Sequence, residues 1–208
     1  MEIRRQAAIS TGCLPLCFLG MNMTNTYRIA EHNIAVTSLH NQVHRLCADY
    51  LFPVAAADFS VETTQADIDY EREKSAREDA AQGIPARRFS DGYLETLAVY
   101  RKIAEKMPEY DTVLFHGSCV AVDGVGYLFT AKSGTGKSTH ARLWRELLGD
   151  RAVMVNDDKP LIRVTDAGAV VFGTPWDGKH RLSSNISVPL KAICILERAE
   201  HNAIRPII

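Results

Sequence analysis

At 208 residues, with 46% apolar and 24% charged side chains, the chain has an ordinary globular composition, sufficient for one domain or one with a small appendage. A formal net charge of −1 excludes the broad basic field of a nucleic-acid or anionic-membrane binder, so neither partner is expected. Five cysteines (Cys13, Cys17, Cys47, Cys119, Cys194) form no CxxC pair or Cys/His cluster with metal spacing, which suits thiols in a reducing cytosol.

Arg4 and Arg5 precede a mildly apolar run, Ala7 to Gly20, which is too short and too polar to span a bilayer. Residues 1–23 read as a leader, either disordered or ahead of a true start at Met21 or Met23. Export is the alternative, although no clean small-x-small cleavage site follows.

Alternation predicts a strand over Asn33–Leu39, and Val43, Leu46 and Leu51 give Asn41–Leu51 helical spacing. Asp58–Thr63 reads as a short strand. The charge-dense stretch Asp67–Gln82 is either a solvated helix or a mobile connector. Ser90 or Asp91 caps a helix from about Gly92 to Lys106, with Leu94, Leu97, Ala98 and Ile103 on one face. Residues 24–107 are thus expected to form a small α+β region.

From residue 108 the texture becomes β-rich. Thr112–Phe115 leads into His116-Gly117, and Ser118–Val122 and Tyr127–Thr130 flank the turn Asp123-Gly124-Val125-Gly126 as a hairpin. A helix ending near Leu148 and stopped by Gly149 follows, then the short apolar strand Ala152–Val155. Leu161–Val164 and Ala169–Phe172 form a second hairpin, and Lys191–Leu196 is the last strand.

Between the first hairpin and the helix stands Ala131-Lys132-Ser133-Gly134-Thr135-Gly136-Lys137-Ser138, a Walker A pattern with alanine for the first glycine. Gly134 and Gly136 allow the turns that aim successive N–H groups at phosphate, and the helix start adds its positive dipole end. Lys137 suits the β- and γ-phosphates, and the Ser138 hydroxyl suits Mg²⁺. Ser133, Gly134, Thr135, Gly136, Lys137, Ser138 and Thr139 are therefore expected to bind a nucleoside triphosphate, ATP with Mg²⁺ as cofactor.

About twenty residues after Lys137, Asn156-Asp157-Asp158 ends a strand, where two carboxylates can divide metal binding and proton acceptance. Turn-forming aspartates before Pro160 are the plain alternative. Lys179 and Arg181 end a loop of turn formers that suits either a phosphate or substrate contact, or a solvated turn.

His116-Gly117 before the hairpin, the loop ending Gly136-Lys137-Ser138 and the pair Asp157-Asp158 together resemble HPr kinase/phosphorylase and its relative phosphoenolpyruvate carboxykinase. The resemblance spans about Val113 to Leu196 and is closest to an uncharacterised HPr-kinase-like branch carrying "GTPW-x-GK", some members of which are linked to peptide maturation. It implies an α/β fold with an α+β tendency: a carboxykinase-like P-loop domain with a mixed sheet and β-hairpins over residues 108–208. It further implies that Lys137 serves the triphosphate, that Asp157 deprotonates a seryl hydroxyl with His116 nearby to tune it, and that Ser138 and Asp158 hold the metal.

The family continues with helices past the last strand, so the resemblance also implies a C-terminal truncation. Residues 24–107 do not match the usual N-terminal domain, and no HPr-contacting segment stands out.

The function expected is a cytoplasmic, ATP-dependent kinase acting on a serine or other hydroxyl of a protein, peptide or small molecule. The alternatives are a nucleotide-binding regulatory module and an NTPase without kinase turnover. The acceptor is not identified, and a homo-oligomer stays open.

Overall fold

A computed structural model describes residues 22–54, 56–178 and 180–207. Residues 1–21, with most of the expected leader and Cys13 and Cys17, lie outside the described residues. Two mixed sheets with helices packed on them make the architecture, in keeping with the expected α/β class with its α+β tendency.

The smaller sheet begins with a strand the sequence did not disclose, β1 (Met23–Ile29), antiparallel to β2 (His32–Ser38). Its turn uses Ala30 and Glu31 at φ 48° and 66°. Tight hairpins of this kind normally advertise themselves through Asn or Gly, and neither is present. β2 also pairs in parallel with β3 (Phe59–Glu62).

α1 (Asn41–Leu46) is shorter than its apolar spacing suggested. A 3₁₀ turn takes over at Ala48–Tyr50, and Leu51 bridges to Tyr27 instead of extending the helix. Val43 and Cys47 bury against Tyr27, Ile34 and Val36.

The charged stretch is a helix, α2 (Gln65–Ala81), started by a capping box between Thr64 and Asp67. Ionic contacts join it to α3 (Asp91–Lys106): Arg101 donates to Glu71 at 2.7 Å, and Lys102 to Asp67 at 2.9 Å. The Ser90 hydroxyl accepts from the Tyr93 N–H and caps α3. The buried stripe of α3 includes Leu94, Ala98, Val99 and Ile103.

Beyond α3 come β4 (Thr112–Leu114), β5 (Ser118–Val122), β6 (Val125–Thr130), α4 (Lys137–Leu148), β7 (Ala152–Asn156), β8 (Leu161–Thr165), β9 (Gly168–Phe172) and β10 (Ser187–Ile195). They form one sheet in the order β4-β8-β9-β10-β6-β5-β7. β10 starts earlier than expected, because Pro189 masks a stretch that pairs with β9 before the strand turns to β6. α4 packs Ala141, Trp144 and Leu148 against Val120, Phe129 and Met154.

A shared core joins the two sheets. Leu161, Phe172 and Trp176 of the larger part cluster with Tyr27, Val36, Val99 and Ile103 of the smaller. Among the described residues, no helix is long and apolar enough to cross a membrane.

The site follows from strand direction. β5 runs antiparallel to both β6 and β7, so β6 and β7 share a direction. Their C-terminal ends and the start of β5 therefore meet at one end of the sheet. The phosphate loop, Asp157-Asp158 and His116 occupy those three positions.

Candidate functional site

The loop between β6 and α4 turns through Gly134 at φ 76° and Gly136 at φ 120°, conformations that a residue with a Cβ adopts only under strain. Its inner turn closes when the Thr135 N–H donates to the Lys132 carbonyl at 3.2 Å. Lys137 Nζ curls back to the Ala131 carbonyl at 3.2 Å, and Arg198 donates to the Gly134 carbonyl at 2.6 Å.

Ser133, Gly134, Gly136, Lys137, Ser138 and Thr139 line a cleft of about 1080 Å³. Thr135, expected among them, does not line it. Its backbone is engaged in the turn.

His116, Asp157, Asp158 and Arg181 line the same cleft. The structure thus gathers residues 116, 133, 134, 136–139, 157, 158 and 181 into one place. Lys179, the other expected cation of that loop, lies outside the described residues.

The two aspartates have different surroundings. Asp157 is buried and accepts a 2.6 Å hydrogen bond from the Ser118 hydroxyl. A Cβ on Gly178 would stand 3.1 Å from its Oδ2, so the loop after β9 passes directly over it. Asp158 is more open, with His116 Nε2 at 3.3 Å and Lys159 Nζ at 3.0 Å.

The resemblance placed His116 as the tuning partner of Asp157, and the structure pairs it with Asp158 instead. The cause is register. Cys119 opposes Asn156, which brings Ser118 beside Asp157, while the Gly117 N–H bonds the Asp158 carbonyl and holds His116 next to that residue.

Asn156 is the scaffold beneath the pair. It is fully buried, and its Oδ1 accepts from the Asp158 and Lys159 N–H groups at 2.9 and 2.6 Å. Its amide donates to Thr174 Oγ1 at 3.1 Å and lies 3.2 and 3.4 Å from the Thr174 and Trp176 carbonyls. A side chain with every polar atom satisfied in a dry interior fixes its neighbours tightly. The available signal for Asn156 and Ser118 was a polar residue at the end of an otherwise apolar strand.

The loop over Asp157 is not a solvated turn. Gly173 to Trp176 are buried, and Trp176 Nε1 donates to the Thr96 carbonyl of α3 at 2.8 Å. Arg181 Nε lies 3.5 Å from Asp177 Oδ1.

The other wall of the cleft comes from α1 and α3, through Gln42, Arg45, Tyr93 and Thr96. None of these was singled out from sequence. A second cleft, about 720 Å³, opens between α2, α3 and Leu114 and shares Leu97, His116, Asp158 and Lys159 with the first.

Burial pushes the Cys47 thiol up to about 12, against a downward pull from Arg181, so this cysteine is inert packing. Cys119 is likewise buried and pushed up to about 12, and Cys194 is half-buried. Among the described residues, no group of three or more His, Cys, Asp or Glu could hold a metal on its own. Mg²⁺ needs less than that, since phosphate oxygens and water complete its shell. Ser138 and Asp158, two oxygen donors lining one cleft, fit that requirement.

No curated protein matches the chain. The model of the family described as SynChlorMet cassette protein ScmC matches residues 92–208, more than half of the 208 residues. That match runs from the start of α3 through the phosphate loop and the aspartate pair, and it overturns the expected HPr kinase/phosphorylase-like membership. A glycine-rich phosphate loop and nearby carboxylates are what phosphate chemistry demands of many lineages, so they did not fix the family. By this match, the chain belongs to the family of SynChlorMet cassette protein ScmC.

Proposed function

We propose that the chain is a phosphate-loop phosphotransferase that binds ATP and moves its γ-phosphoryl group to a hydroxyl of a protein, peptide or small molecule. The observation that carries this reading is a buried, singly hydrogen-bonded carboxylate, Asp157, in the same cleft as the phosphate loop. A phosphate loop alone explains nucleotide binding; the added carboxylate supplies a proton acceptor.

In the step proposed, the acceptor oxygen attacks the γ-phosphorus and its proton passes to Asp157. The bond from that phosphorus to the β–γ bridging oxygen breaks, and ADP leaves with the electron pair. Lys137 and the loop N–H groups hold the phosphates in place, which is most of what such catalysis requires. Ser138 and Asp158 would hold Mg²⁺, whose charge favours the leaving group. His116 and Lys159 position Asp158. The second cleft is the acceptor's approach, because it meets the first at Asp158 and His116. ATP as substrate places the reaction in the cytoplasm.

Asp157→Asn should lower transfer of label from γ-labelled ATP by roughly 10²–10⁴-fold, the usual worth of a positioned base, with ATP affinity unchanged by calorimetry. Equal loss of binding and transfer would remove the base role. Hydrolysis at full rate without any acceptor would favour an NTPase instead.

A further inference from the structure

Gln42, Arg45 and Leu46 of α1 line the nucleotide cleft. Their i, i+3, i+4 spacing puts them on one helix face, while Val43 and Cys47 turn into the core. The helix is firmly seated. Glu95 of α3 accepts from the Leu39 and His40 N–H groups just ahead of it, each at 2.7 Å. Gln42 also packs on Gly92, where a Cβ would stand 2.6 Å from Gln42 Oε1. Arg45 therefore projects from a rigid platform.

The cations of this cleft are not equivalent. Lys159 is held by Asp158 at 3.0 Å, Arg181 lies 3.5 Å from Asp177, and Lys137 rests on a carbonyl at 3.2 Å. Arg45 is exposed and has no hydrogen bond or ion pair among the described residues. A free guanidinium facing a cleft lined by a phosphate loop has an anion as its natural partner, and its planar fork suits phosphoryl oxygens.

We propose that Arg45 contacts the transferring phosphoryl group and neutralises the charge on its equatorial oxygens, as an arginine supplied within the same chain. The inference rests on the phosphotransferase reading. Arg45 makes and breaks no covalent bond. The acceptor oxygen still bonds to the γ-phosphorus, the proton goes to Asp157, and ADP departs with the bridging oxygen and its electron pair.

The test needs no acceptor. Calorimetry would compare Mg·ADP alone with Mg·ADP plus aluminium fluoride, which mimics the phosphoryl group in transfer. In the wild type, aluminium fluoride should tighten Mg·ADP binding. Arg45→Ala should keep its affinity for Mg·ADP alone and lose that gain, on the order of 10³-fold, the lower end of what an arginine finger contributes. Arg45→Lys should recover only part, since a point charge lacks the fork.

Melting temperature should not move, because Arg45 is exposed and has no hydrogen bond or ion pair among the described residues. An Arg45→Ala protein that gains as much from aluminium fluoride as the wild type would overturn the proposal. A wild type that binds Mg·ADP but gains nothing would sink phosphoryl transfer and Arg45's role together. A wild type that binds no nucleotide would remove the site reading itself.

Discussion

The two walls of the cleft are built by different means. One comes from a short stretch of chain, Ser133, Gly134 and Gly136 to Thr139, turned by two positive-φ glycines. The other is assembled from α1 and α3, whose contributing residues, from Gln42 to Leu97, are scattered along the chain and placed by packing. Chemistry done by backbone must be contiguous in sequence and so leaves a motif. Chemistry done by side chains on docked helices leaves none, although it is no less exact in space.

The seam between the walls is the sharpest place to test that contrast. Gly173 lies where the larger sheet hands over to the loop that reaches α3. A Cβ there would stand 1.9 Å from the Ser184 carbonyl oxygen and 2.7 Å from that of Val155. Both are backbone atoms, Val155 within β7 and Ser184 in the segment before β10, so neither yields as a flexible side chain would. Gly173→Ala should cost about 3 kcal/mol, the upper end for overpacking. That corresponds to a melting point lower by roughly 6–12 °C for a chain of this size. It should also loosen Trp176 from α3, visible as a red-shifted tryptophan emission. An unchanged melting curve would mean that the two walls are not held to each other here.

Lys137→Ala is the complementary change, confined to one wall. Losing a charged contact to phosphate should weaken ATP binding by roughly ten- to a hundredfold. Melting should stay near that of the wild type, since Lys137 gives up only its bond to the Ala131 carbonyl. Undiminished ATP affinity would show that the loop does not bind phosphate.

The same division governs what could be read in advance. Most strands, α3 and α4 follow from periodicity, caps and stops, the charged stretch of α2 left helix and connector open, and the loop, His116, Asp157 and Asp158 stood out by motif chemistry. β1 escaped because its turn is made by Ala30 and Glu31 rather than by residues that favour positive φ. The pairing of His116 with Asp158 escaped because a one-residue difference in strand register decides which carboxylate a side chain meets. Asn156 and Ser118 were in plain view, yet a buried polar residue declares itself only when its partners are known. Arg45 carried no signal at all, because its cleft neighbours on α1, Gln42 and Leu46, form no motif and the loop opposite lies far along the chain.

The smallest effect belongs to the helical wall and sets apart what holds it from what the loop does. Burial works against the charge on Asp67, but bonds from Lys102 and from the Thr64 N–H and hydroxyl outweigh it and hold its carboxyl down to about 2, from 3.8. A carboxylate lowered in the folded state stabilises the fold fully above its unfolded value and loses that contribution as pH falls through the folded one. Asp67→Asn should therefore cost ~1 kcal/mol at neutral pH, the top of the range for ion pairs of this exposure. The gap between variant and wild type should shrink below about pH 4 and close towards pH 2. Denaturant midpoints taken across that range would check it, and a gap that stays constant would assign the cost to the cap's geometry rather than its charge. ATP affinity should be unaffected throughout the neutral range, the reverse of Lys137→Ala, because Asp67 fastens α2 to α3 and lines neither cleft.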